Sequence, residues 1–153
     1  MKTTNINALD KWDLRFLQMA EHVAEWSKDP STKVGAVIVR PDRTIASVGF
    51  NGFARGVRDT VERLWNRELK YPLTVHAELN AILSAHEPVR GHSLYVSPLS
   101  PCSNCAGVII QSGIARVVAK CGQVNNPAQW SESFNLALTA FAEAGVSVIL
   151  VEH

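Results

Sequence analysis

The apolar residues Trp12, Phe16, Met19 and Val23 recur at helical spacing and predict an amphipathic helix between Trp12 and Trp26, with its aromatics in a core. The segment "SKDPST" breaks that pattern, and Pro30 is its stop. "KVGAVIVR" and "RTIASVGFN" are β-branched and predict two strands joined by a turn at Pro41 and Asp42. Residues 51–75 are the least regular, with Gly52 and Gly56 followed by a charged stretch, "DTVERLWNRELK", that can form one short helix. Irregular segments of this length are uncommon in compact domains and are often functional. Beyond them, "LTVHAELNAIL" predicts a helix from about His76 to His86, "SLYVSP" a strand, and "SNCAGVIIQSG" a helix stopped by Gly113. "ARVVAK" is then a strand, "SESFNLALTAFAEAG" a helix with a serine cap (Ser131) and a terminal Gly145, and "VSVILVE" a last strand.

The predicted order is α, β, β, α, β, α, β, α, β. Strands that return through a helix normally lie parallel by a right-handed crossover. The expectation is an α/β fold of three layers, α/β/α, around a mixed five-stranded sheet, as a single domain over residues 1–153. Sites in such sheets gather at the carboxyl ends of strands, near the starts of the following helices.

Composition narrows the function. Fifteen Lys plus Arg against 14 Asp plus Glu leave a formal charge of +1, without the basic excess that tracks a phosphate backbone. A small ligand is favoured over nucleic acid. No apolar stretch has the length of a signal peptide core or a membrane span, so the expectation is a soluble, cytoplasmic protein. Three cysteines suit a reducing compartment better than a disulfide scaffold, and two of them form Cys102-Ser-Asn-Cys105.

That pair calls for metal or redox chemistry. On the first turn of a helix, residues three apart face the same way within about 60° and can share one ion. His76, at the start of another helix, supplies a third ligand. Two thiolates and an imidazole fill three corners of a tetrahedral zinc and leave the fourth for water, as catalytic zinc requires. Glu78 is two residues from His76, roughly 200° round the helix, so it diverges from the metal yet stands beside it, where a carboxylate acts as general base and then acid. Two other readings compete. Cys102 and Cys105 could be a thioredoxin-like redox pair, or a structural zinc could be closed by a fourth ligand from His86, His92 or Cys121. Cys121 follows an apolar strand and reads as a small buried hydrophobe.

His76-Ala77-Glu78, then Pro101-Cys102-Ser103-Asn104-Cys105 with 23 residues between Glu78 and Cys102, matches the H-x-E and P-C-x-x-C signature of the zinc deaminases. Within that superfamily the chain resembles the deoxycytidylate (dCMP) deaminases, in "SKDPSTKVGA", "GFNGFARG", "KYPLTVHAELNAIL" and "SPCSNCAGVIIQSGI". The resemblance implies a cytidine deaminase-like fold and one catalytic Zn2+ held by His76, Cys102 and Cys105. It implies hydrolysis of dCMP to dUMP and ammonia, with Glu78 passing protons to N3 and to the departing amine. Asn51 would then bond the sugar, and the Ala77 backbone would hold the base. Ser27, Lys28, Ser31 and Thr32 offer donors to the phosphate, with Arg55 and Arg58 as second choices. The resemblance further implies a homohexamer activated by dCTP and inhibited by dTTP, with the effector segment at Gly52, Arg55, Gly56 and Asp59.

The chain departs from that family at Phe50 and Ala54, where Tyr and Pro are commoner, and in "CGQVNNPAQW", where an Asp- and Tyr-containing segment is usual. These differences bear on effector regulation and substrate closure. The zinc motif equally serves a free nucleoside, another cytosine nucleotide or tRNA adenosine, and the near-neutral charge argues against tRNA. A deaminase-like scaffold without activity would have no use for Glu78.

Overall fold

The computed structural model describes residues 1–120 and 127–152. In chain order its elements are β1 (Lys2–Asn5), α1 (Lys11–Ala24), β2 (Gly35–Val39), β3 (Ile45–Phe50), β4 (Gly52–Phe53), α2 (Val61–Trp65), α3 (Arg67–Leu73), β5 (Thr74–Val75), α4 (Ala77–Ser84), β6 (Ser93–Ser97), α5 (Ser103–Gln111), β7 (Arg116–Lys120), α6 (Pro127–Ala144) and β8 (Ser147–Glu152). The main sheet runs β1-β8-β7-β6-β2-β3. β6, β7, β8 and β1 are mutually parallel, whereas β2 pairs antiparallel with both β6 and β3.

The expected three layers and mixed sheet are present, with six strands rather than five. The extra strand, β1, is "KTTN", too short and polar to carry an alternation signal; it is read only from its pairing with β8. The single short helix expected in the irregular segment is two, α2 and α3, divided at Asn66, which ends one and caps the other. The serine cap expected for the last helix is not used, because the helix begins earlier, at Pro127, a residue suited to a first turn. Its end is as expected, with Gly145 at positive φ and Val146 N–H returning to the Phe141 carbonyl. Cys121 and residues 121–126 of "CGQVNNPAQW" lie outside the described residues.

Strand alternation builds two cores. Val37, Val39, Tyr95, Val118 and Val151 meet Phe16, Leu17, Ala20 and Val23 of α1 on one face. Ala36, Ile38, Leu94, Val96, Val117 and Leu150 meet α4, α5 and α6 on the other. Two glycines set how closely the helices approach: a Cβ at Gly35 would lie 2.1 Å from the Ala20 carbonyl oxygen, and one at Gly49 would lie 2.4 Å from Ala81 N. The second contact seats α4 against β3. Towards the start of β7, Asp13 of α1 accepts from Tyr95 Oη (2.7 Å) and from the Arg116 guanidinium, tying the α1 layer to β6 and β7.

Candidate metal centre and cavity

His76 is the N-cap of α4, Cys102 is the N-cap of α5, and Cys105 lies in the first turn of α5. His76 Nδ1 is 3.1 Å from Cys105 Sγ and 3.6 Å from Cys102 Sγ, and the three donor atoms fall within 4.8 Å of one another. A tetrahedral zinc with ordinary Zn–S and Zn–N bonds separates nitrogen from sulfur by about 3.6 Å. The donor set and its spacing therefore fit zinc. Among the described residues nothing else joins the group: His86 is exposed, and His92 is buried elsewhere, 3.9 Å from Glu87.

The electrostatics suit a cation. A hydrogen bond with Cys105 holds the Cys102 thiol below its usual range against the opposing effect of burial, and His76 and the Cys105 backbone N–H add to this. The same hydrogen bond and burial push Cys105 up. His76 is raised, chiefly by its hydrogen bond to Cys102, with burial opposing and the Glu78 charge adding. A divalent ion would draw both thiols into the thiolate form and displace the imidazole proton.

Glu78 stands outside the donor group but beside it. It is 4% exposed, and burial pushes its carboxyl above the usual range, while its own backbone N–H and His76 pull the other way. It opens onto a cavity of about 200 Å³ with His76, Ala77 and Cys102. Leu99, Ser100 and Phe134 also line it, with Asp29, Ser31, Thr32, Val34, Asn51, Arg67, Lys70, Tyr71 and Thr74.

The residues anticipated for the nucleotide divide. Ser31, Thr32, Asn51 and Ala77 line the cavity. Ser27 does not; it is buried, and its hydroxyl donates to the Asn51 carbonyl (2.8 Å). Lys28 is directed away, 73% exposed and 2.7 Å from Asp59. Gly52 is half-buried, and Arg55, Gly56 and Asp59 are exposed; none of them lines the cavity, nor does Arg58. Asn51 organises the loop before β2: its Oδ1 accepts from Val34 N–H (2.8 Å) and its Nδ2 donates to the Thr32 carbonyl (2.9 Å).

Sequence reading allowed a short helix at α3 but gave it no part in the site. Lys70 is 4% exposed, and its ammonium donates to Asp29 Oδ1 (3.0 Å) and Ser31 Oγ (2.9 Å), which puts the cavity's buried lysine on α3 rather than in the "SKDPST" loop. Arg67 and Tyr71 flank it, with the guanidinium over the tyrosine ring. The available signal was proximity, since "KYPLTV" runs directly into His76.

The family model for the cytidine and deoxycytidylate deaminase zinc-binding region matches residues 10–121. An uncharacterised deaminase of Aliivibrio fischeri is 46% identical over 140 residues, covering 92% of this chain and 93% of its own. The deoxycytidylate deaminase of Mus musculus is 38% identical over 144 residues, covering 90% of this chain and 78% of its own. In fold, the chain is similar to the dCMP deaminase of cyanophage S-TIM5, with a TM-score of 0.73 at 23% identity, over 93% of this chain and 98% of that one.

Proposed function

The chain belongs to the cytidine and deoxycytidylate deaminase family, and from that membership we propose that it hydrolyses dCMP to dUMP and ammonia. The observation that carries this reading is the His76, Cys102 and Cys105 group opening, beside a buried glutamate, onto a cavity that also holds a buried lysine. His76, Cys102 and Cys105 hold one zinc ion. When bound, zinc lowers the pKa of water to about 7 and so supplies a nucleophile at neutral pH.

Glu78 moves the protons. Its raised affinity for a proton lets it accept one from the attacking water and pass it to N3 of the cytosine, then take the proton of the new C4 hydroxyl and deliver it to the amine as the C4–N bond breaks. One water is consumed, and one ammonia leaves for each dUMP formed. The start of α4 holds the base at the Ala77 backbone. Asn51 presents the remaining lone pair of Oδ1 to the sugar. Ser31, Thr32 and Lys70 receive the phosphate, Lys70 with the one ammonium hydrogen that Asp29 and Ser31 leave over.

The exposed segment with Gly52, Arg55, Gly56 and Asp59 is the proposed dCTP and dTTP effector site in a homohexamer. The Lys28–Asp59 ion pair ties that segment to the "SKDPST" loop. No helix among the described residues is long and apolar enough to cross a membrane, in keeping with a cytoplasmic enzyme. The test is ammonia release from dCMP, deoxycytidine and a tRNA anticodon stem, with and without dCTP, alongside zinc content. Release from dCMP is expected; zinc-replete protein that leaves dCMP intact while deaminating another substrate would overturn the assignment.

A further inference from the structure

An α-helix begins with four backbone N–H groups that have no intrahelical partner, and the N-cap side chain normally accepts one of them. At α5 the N-cap is Cys102, whose sulfur is turned to His76 and Cys105 and leaves the Ser103 amide uncapped. At α4 the N-cap His76 likewise caps nothing, and the Glu78 carboxylate accepts from its own backbone N–H. Residue 103 is a serine, yet its hydroxyl lies 3.0 Å from another hydroxyl, that of Ser133. The same Ser133 oxygen accepts the Ser103 backbone N–H, at 3.0 Å.

We infer that Ser133 is a positioning residue for the metal site, a cap supplied from α6 to the helix whose own cap position is committed to zinc. The inference rests on reading His76, Cys102 and Cys105 as the zinc ligands. Ser103 lies between the two cysteines, so an unsecured amide there frees the turn that sets their spacing. The helix N-terminus also provides the positive field that favours thiolates, and that field is strongest when the first turn is intact. Phe134, the next residue, lines the cavity, so the same turn of α6 serves both the wall and the ligand turn.

The test is zinc affinity of the full chain by chelator competition, with melting temperature measured with and without metal. Ser133→Ala is expected to weaken zinc binding about tenfold or more, as loss of a partner behind a ligand does. Ser133→Thr, which keeps the hydroxyl, should bind within about threefold of the parent on the same scale. Thr139→Ala is the control, since it removes an α6 hydroxyl that donates only to the Asn135 carbonyl on the exposed face, and it should change nothing. Ser133→Ala binding zinc as tightly as the parent, with both metal-free and zinc-loaded forms melting equally lower, would overturn the inference and leave an ordinary helix contact. Failure of the underlying site reading looks different: the parent would bind no zinc, or Cys102→Ala would bind it unimpaired.

Discussion

Glu78 is a buried carboxylate outside the donor group, and in the proposed mechanism that position separates proton transfer from metal binding. Glu78→Gln keeps the shape and removes the titrating group. It is expected to retain zinc, measured by metal analysis, while turnover falls by about 10² to 10⁴. In the proposed binding mode Lys70 separates substrates rather than chemistry. Lys70→Met should raise KM for dCMP at least about tenfold, as loss of one charge-assisted hydrogen bond predicts, and leave deoxycytidine kinetics nearly unchanged. That His76, Cys102 and Cys105 meet with Glu78 beside them was readable because each sits in a local pattern with one geometric meaning, His-x-Glu and Cys-x-x-Cys at helix starts. The cation was not. Lys28 and Lys70 are both lysines in polar stretches, and only the turn at Asn66, which sends α3 back along the loop, determines which of them faces inward.

Among elements, the seating of α4 on β3 depends on the missing side chain at Gly49. Gly49→Ala would drive a methyl into the Ala81 backbone, so the helix carrying His76 and Glu78 must shift. We expect a loss of about 2–3 kcal/mol in chemical unfolding and weaker zinc binding. Asp13 fastens the opposite layer. Burial alone would raise its pKa, but hydrogen bonds from Arg116 and Tyr95 overcome that and lower it; Tyr95 is raised by burial first and Asp13 second, and Arg116 chiefly by Asp13. A depressed carboxyl contributes its stability above about pH 4 and loses it as the pH falls through the folded value. Asp13→Asn should therefore cost about 2–3 kcal/mol near pH 7, with the gap from the parent closing in acid, as followed by urea unfolding across pH. The strands were legible from alternation and the helices from spacing. β1 was not, since an edge strand with one neighbour needs no apolar face to be placed.

For the molecule as a whole, the metal joins the starts of two helices far apart in the sequence, at His76 and at Cys102 to Cys105. Chelation should lower the melting temperature by at least about 5 °C, because an ion bound only by the folded state at a hundredfold excess over its Kd contributes about 2.7 kcal/mol. Calorimetry with added chelator, then with zinc restored, checks both loss and recovery. The order of strands has one more effect. β6, which leads to the cysteines, has a strand on each side, whereas β3, which leads to Asn51, is a rim with a single neighbour. Backbone amides in β6 should be among the last to trade hydrogen with heavy water, and those of β3 among the first. An inhibitor gripping the sulfur side would meet a fixed target, while one built against Asn51 would meet a surface that yields.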